Sequence, residues 1–162
     1  MRSFTDAQIR ASFINATLRE RKAIVLPDLT TVGWDSLTYL GWRDPKLAHT
    51  GYVVVDLDGE PVGMLMRQTE TRTRSRPQCT WCADIHLPND VAMFSTRRAG
   101  AAGRRGDVVG SLVCENFECS TNVRRPPVSA YIGFDVEAAR QRRMDALLES
   151  VEAFARDVRD GA

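Results

Sequence analysis

The arrangement of four cysteines is the strongest constraint on how this 162-residue chain folds. Cys79 and Cys82 form a C-x2-C pair, and Cys114 and Cys119 form a C-x4-C pair after 31 intervening residues. A tetrahedral Zn²⁺ requires two such pairs, because each short turn supplies two thiolates and the loop between them brings the turns together. Four thiolates leave no open coordination position, so the sequence predicts one structural zinc ion.

Two disulfides or a redox-active C-x2-C motif would use the same cysteines. The first residues, MRSFTDAQIR, lack the apolar core of a secretory signal, which favours a cytoplasmic protein in a reducing compartment where disulfides are rare. A redox motif would leave Cys114 and Cys119 without a role. No apolar run approaches the roughly 20 residues of a membrane span, so no membrane association is expected.

An α+β fold is expected, and its first portion, residues 1–70, contains one helix and a β-hairpin. The apolar stripe from Thr5 to about Arg21 predicts a single helix. The hairpin pairs strands at Tyr52–Leu57 and Val62–Arg67 across the turn dipeptide Asp58-Gly59.

The segment between this helix and this hairpin contains two tryptophans. Trp34 and Trp42 are expected to be core anchors, because large aromatic side chains usually pack inside a domain. The stretch Gly41–Pro45 is interpreted as a turn.

A polar, arginine-rich stretch at residues 69–77 marks the predicted boundary to a zinc-binding domain at 71–134. After the first cysteine pair, ADIHL and VAMFSTRR predict a second hairpin around the turn PND. The glycine-rich basic segment AGAAGRRGD predicts a loop. VVGSLVC then predicts a strand that ends at Cys114, and ENFECSTNVR a helix or turn that carries Cys119.

The last portion, residues 135–162, predicts a long amphipathic helix from about Asp135 to Arg159 that packs on its own domain. Its apolar residues recur at three- and four-residue spacing: Val136, Ala139, Met144, Leu147, Leu148, Val151, Phe154 and Val158.

Nothing in the sequence points to catalysis. It lacks the G-x-S-x-G, P-loop and H-E-x-x-H motifs, and its two histidines, His49 and His86, lie far apart in the chain. With no pairing of a nucleophile and a base, a non-enzymatic protein without a small-molecule substrate is expected.

The charge distribution leaves two kinds of macromolecular partner open. Residues 67–106 contain eight basic and three acidic residues, a net charge of +5, whereas the whole chain carries +1. Such a patch attracts an acidic protein surface or RNA, or it is simply a solvated surface. An RNA-binding module would use arginines for phosphates and Trp81 or Tyr131 for stacking on a base. The arginines concerned are Arg72, Arg74, Arg76, Arg97, Arg98, Arg104 and Arg105. A pI near 7.7 speaks against this reading, because nucleic-acid-binding domains are usually strongly basic.

Several motifs together resemble a known family. They are CTWC at the first cysteine pair, RRGxxVGxxxC before the second pair, and GWRDPK and YVVVDLDG upstream. This combination resembles the C-terminal treble-clef zinc finger of elongation factor G-binding proteins, the FusB-type fusidic acid resistance family. The resemblance is best over residues 34–134.

The resemblance implies a fold of knuckle, β-hairpin and helix around one Zn²⁺, with Cys79, Cys82, Cys114 and Cys119 as ligands. It also implies binding to elongation factor G and promotion of its release from ribosomes stalled by fusidic acid. Six residues are candidates for the factor-binding face by their positions: Thr80, Trp81, Arg104, Arg105, Tyr131 and Phe134. The ribosome and its RNA are further expected partners, and the alternative function is a zinc-stabilised, ribosome-associated RNA-binding module.

Overall fold

A five-stranded antiparallel sheet organises the chain. The computed structural model describes residues 1–69, 77–84, 89–128 and 131–161. The strands are β1 (Leu40–Arg43), β2 (Thr50–Leu57), β3 (Glu60–Gln68), β4 (Val91–Arg97) and β5 (Val108–Cys114), in the spatial order β1-β2-β3-β4-β5. The helices are α1 (Asp6–Ser12), α2 (Leu18–Ala23), α3 (Gly100–Arg104), α4 (Cys119–Arg124) and α5 (Val136–Asp160), with one 3₁₀ turn at Trp34–Ser36.

The two faces of the sheet bury two different sets of residues. In β2, Val53 and Val55 lie in a cluster that contains the four cysteines and residues of α5. Tyr52 and Val54 lie in a second cluster, with Phe13 and the N-terminal segment. This alternation follows from the two-residue period of a strand, and it places α1 and α5 in layers on opposite faces.

The hairpin predicted at Tyr52–Leu57 and Val62–Arg67 is confirmed as β2 and β3, which pair with Val55 opposite Val62. Asp58 and Gly59 form its turn with φ of 54° and 87°. Residues of this hairpin share an apolar cluster with the cysteines on the far side of residues 69–77. That stretch therefore separates two segments of chain that pack in one cluster, and the division into domains stays a prediction.

The prediction of a single helix from Thr5 to Arg21 is wrong, because the chain forms two short helices. Thr5 caps α1 and Thr17 caps α2 in capping boxes: each threonine hydroxyl accepts from the amide of the third helical residue, whose side chain accepts from the threonine amide. Between them, Phe13 is extended and forms an isolated bridge with Gly63 of β3. The Phe13 ring is fully buried, and the Ile14 amide donates to the Gly63 carbonyl at 2.9 Å, so the chain pairs with β3 here instead of continuing the helix.

Two further local predictions are corrected. Gly41–Pro45 is not a turn, because Leu40–Arg43 is the edge strand β1, paired with β2. The glycine-rich segment 99–107 is not only a loop, because it contains α3.

Trp34 and Trp42 are partly buried against the second cluster, as expected of anchors. The predicted second hairpin falls partly on residues 85–88, outside the described residues, and its other strand, β4, pairs with β5 and with the end of β3.

The long C-terminal helix is confirmed as α5, capped by Asp135, whose side chain accepts a hydrogen bond from the Ala138 amide. The residues that it buries completely are Leu147, Val151, Ala155 and Val158. All four belong to the cluster that surrounds the cysteines. The amphipathic pattern thus packs this helix on its own sheet.

Two glycines of the sheet make room for the ring of Phe117, which lies in the turn between Cys114 and Cys119. A Cβ atom on Gly41 would lie 2.6 Å from the Phe117 Cβ, and one on Gly51 would lie 2.5 Å from its Cζ. Phe117 itself has a φ of 61°, a conformation that bulky residues rarely adopt. The second cysteine pair is therefore seated directly on β1 and β2.

We expect Gly41→Ala to lower the free energy of unfolding by about 1 to 3 kcal/mol, because the new methyl group overpacks against an atom fixed to the Phe117 backbone. Urea denaturation of the zinc-loaded protein measures this loss. Gly33→Ala is the control, because its Cβ would meet only the Ser36 hydroxyl, at 3.1 Å. Equal stability of the two variants would show that Phe117 does not depend on this close approach.

Candidate metal centre

The four cysteine side chains converge on one point. All four are buried, and their sulfur atoms lie within 4.8 Å of one another. The Sγ atoms of Cys79 and Cys119 are 3.6 Å apart, as are those of Cys82 and Cys114. Four sulfurs at about 2.3 Å from a tetrahedral zinc lie roughly 3.8 Å from one another, so the donor set and its size fit one Zn²⁺. Four thiolates make this a structural zinc site.

Each cysteine pair is positioned by a short, well-connected turn. Thr80, between the first two cysteines, donates from its amide and its hydroxyl to the Leu112 carbonyl at 2.8 and 2.9 Å. Its hydroxyl also lies 2.7 Å from that of Ser111. These bonds fasten the first turn to β5, which ends at Cys114, so the two pairs are held in register.

Trp81 belongs to the first turn, and its side chain is buried in the core. Its ring packs edge-on against Tyr39 and Phe154, with centroid distances of 5.4 Å to each. Only 4% of Trp81 is exposed. The structure thus places this candidate binding residue in the core, where it joins the metal centre to α5.

Proximity of the four sulfurs perturbs their ionisation when no metal is bound. Hydrogen bonds from Cys114 and Cys119 lower the pKa of the Cys79 thiol. Hydrogen bonding to Cys114 and to Cys79 instead raises the pKa of the Cys119 thiol, and burial adds to this effect. Negative charge therefore gathers on part of the cluster while the remaining thiols keep their protons, until a dication compensates the charge.

Arg143 of α5 connects the helix to both cysteine turns. Its guanidinium forms an ion pair with Asp84, two residues after Cys82. It also donates to the backbone carbonyls of Asn122 and Arg125, in and after α4, at 3.2 and 3.3 Å. One side chain thus joins the segment after the first pair to the helix that begins at Cys119.

The remaining candidate binding residues lie at separate places. Arg104 and Arg105 belong to α3 and its end, which is fastened to the C-terminal end of α5 by a bond from the Ala99 amide to the Val158 carbonyl. Tyr131 and Phe134 immediately precede the N-terminal end of α5. A 25-residue helix is about 37 Å long, so the arginines and the aromatic residues lie at opposite ends of it. The exposed Thr80 lies between two of the zinc ligands and contacts Ser111 and Leu112 of β5.

Sequence reasoning missed the side chains that surround the ligands. Asn89 and Asn122 direct their amides at Cys114, and Phe117 seats the second turn on the sheet. Asn89 was assigned only to a turn, and Asn122 only to the helix after Cys119. Spacing reveals ligands, but these contacts depend on which elements the fold brings beside a sulfur atom.

We expect zinc binding to release protons and zinc affinity to fall as the pH is lowered. Because the pKa of Cys119 is raised, its thiol keeps its proton at neutral pH and must lose it to become a ligand. Calorimetric titration with zinc in two buffers of different ionisation enthalpy counts the protons released. An enthalpy that is independent of the buffer would contradict this.

We expect Arg143→Met to lower the free energy of unfolding by about 1.5 to 3 kcal/mol, because Asp84 and two carbonyls lose a charged donor. Thermal denaturation of the zinc-loaded protein tests this. Arg142→Met is the matched control, since Arg142 is the exposed neighbour on α5. The cross-link has no energetic role if both variants unfold at the same temperature.

In the part of the chain that the structure describes, no helix combines the length and apolar character needed to cross a bilayer. No curated protein and no solved structure matches the chain significantly. A family model, the FBP C-terminal treble-clef zinc-finger, matches residues 8–158 and so includes all four cysteines and most of α5. This match extends beyond the 34–134 region of best resemblance on both sides. The chain therefore belongs to the FBP C-terminal treble-clef zinc-finger family.

Proposed function

We propose that this protein binds elongation factor G without catalysing a reaction, and that it promotes release of the factor from the ribosome. The observation that carries the proposal is membership of the FBP zinc-finger family over almost the whole chain. The metal centre supports a binding role, because four thiolate ligands leave zinc no position for a substrate. In this proposal the zinc ion is structural and holds the shape of the surface that binds the factor.

The arginine end of the molecule supplies the charge for this interaction. Arg104 and Arg105 are exposed, and Arg105 forms an ion pair with Asp107 at 3.4 Å on the surface. An exposed pair of this kind is worth little in water, so a more acidic partner surface can replace it. Charges at the edge of an interface mainly accelerate association and make it sensitive to salt.

The aromatic end supplies apolar contact area. Tyr131 is 66% exposed and packs edge-on against Phe134 with a centroid distance of 5.5 Å. The next residue, Ile132, is fully exposed. Exposed aromatic and aliphatic side chains grouped in this way are typical anchors of protein interfaces, where tyrosine is enriched among the residues that dominate affinity.

The two ends impose a geometric condition on the partner. A standard interface buries about 800 Å² on each side, and the two ends of α5 are about 37 Å apart. An elongation factor that uses both groups must therefore lie along the molecule, whereas a smaller contact would use one end. To promote release, the protein must bind one state of the factor more tightly than another.

Calorimetric titration into purified elongation factor G at two salt concentrations tests the proposal. Saturable binding is expected for the zinc-loaded protein. Tyr131→Ala should weaken it about tenfold or more, through lost apolar contact. Arg104→Ala combined with Arg105→Ala should weaken it mainly at low salt, because steering charge is lost.

The matched control is Arg19→Ala combined with Lys22→Ala, which removes the same charge from exposed positions on α2. Binding should be unchanged in this variant. Absence of binding at both salt concentrations would refute the proposal. Salt-dependent binding to ribosomal RNA in that case would favour the RNA-binding alternative, for which Arg97, exposed and ion-paired with Glu20, is one candidate.

A further inference from the structure

Two of the described side chains bring carboxamide groups to the Cys114 sulfur, and the Tyr39 hydroxyl lies beside the Cys119 sulfur. The Asn89 Nδ2 atom lies 3.1 Å from Cys114 Sγ, and the Asn122 Nδ2 atom lies 3.5 Å from the same sulfur. Both distances are within the range of an N–H···S hydrogen bond. Two carboxamide donors therefore point at the ligand that ends β5.

The two asparagines also hold each other in place. Asn122 Nδ2 lies 3.4 Å from Asn89 Oδ1. Because Asn89 Oδ1 accepts from Asn122, the Asn89 Nδ2 group is turned toward the sulfur. The side chains thus form a small network whose donors converge on Cys114.

Backbone hydrogen bonds hold the two chain segments that carry these asparagines. Asn122 is 2% exposed in α4, and its carbonyl accepts a hydrogen bond from Arg143 of α5. Asn89 is next to Asp90, whose carbonyl accepts from the Glu115 amide at 2.9 Å. The backbone positions of both asparagines are therefore fixed by segments that also hold the metal centre.

The negative charge of the metal centre explains why these two donors matter. Four thiolates around one Zn²⁺ leave a formal charge of −2 in a buried site, which is costly unless hydrogen bonds compensate it. A thiolate that accepts hydrogen bonds is also a weaker nucleophile, because its lone pairs are engaged. Groups outside the ligand shell commonly change metal affinity by 10- to 100-fold.

We propose that Asn89 and Asn122 are positioning residues of the zinc centre, which hold the Cys114 thiolate as a ligand and reduce its reactivity toward electrophiles and oxidants. The Cys114 thiolate is then shielded by two donors in the zinc-loaded protein. This inference concerns only metal retention and does not depend on the identity of the protein's partner.

The test uses Asn89→Leu and Asn122→Leu, in which the side chain keeps its approximate size but loses its donor. Each should release zinc to a chromophoric chelator with an affinity loss of about 10- to 100-fold. Alkylation of the zinc-loaded protein by a maleimide, with peptide mapping, should find Cys114 modified late in the wild type and early in the variants.

Cobalt substitution separates this role from a merely structural one. In the Co²⁺-loaded variants, the sulfur-to-metal charge-transfer band should shift to lower energy, because the thiolate has lost its hydrogen bonds. The ligand-field bands should keep the intensity of a tetrahedral site. Asn116→Leu is the control. Asn116 lies in the turn between Cys114 and Cys119, and its carboxamide donates to Glu118 rather than to a sulfur.

Asn89 is only partly buried, so its variant is expected to fold even if the change at the buried Asn122 prevents folding. The proposal is overturned if folded Asn89→Leu matches Asn116→Leu in zinc affinity, cobalt spectrum and order of alkylation. A lowered melting temperature with those three properties unchanged also overturns it, because the asparagine would then only support the fold.

Discussion

Bonds from four cysteine sulfurs to one zinc ion cross-link three segments of the second half of the chain. They connect the turn at Cys79–Cys82, the end of β5 and the start of α4 at a single buried point. Metal affinity in such a site is folding free energy, since the ligands are gathered only in the folded chain. The cross-link thus acts together with the β4–β5 pairing and the packing of α5 in the second half of the protein.

Side chains next to the metal centre contact the other elements of the fold. Trp81 packs against Phe154 of α5, and Arg143 joins α5 to both cysteine turns. On the other side, the ring of Phe117 rests on Gly41 and Gly51 of the sheet. A change in the metal centre is therefore transmitted to the N-terminal strands and to the long helix, because all of them pack against the same few side chains.

This construction suits the proposed binding role. Four thiolate ligands leave zinc no open position, and the residues proposed for the factor-binding face include arginines at one end of α5 and aromatic residues at the other. A rigid spacing between two contact points reduces the entropy lost on binding a partner that matches it. The zinc centre and the packing of α5 would both be needed to keep that spacing.

The features that local patterns encode were determined by the sequence itself. Cysteine spacing predicted the zinc centre, alternating apolar residues around Asp58-Gly59 predicted the β2–β3 hairpin, and three- and four-residue spacing predicted α5. These succeed because the period of a strand or helix, and the reach of a short metal-binding turn, involve only neighbouring residues.

Tertiary structure decided the rest. The N-terminal helix is interrupted where Phe13 bridges to Gly63 of β3, and Gly41 lies in a strand because β1 pairs with β2. Burial of Trp81, the separation of Arg105 from Tyr131 and the convergence of two asparagines on Cys114 depend on contacts between residues distant in sequence. Helix and strand periodicity in the sequence does not predict such contacts, because they form only when the sheet, the helix and the metal centre pack together.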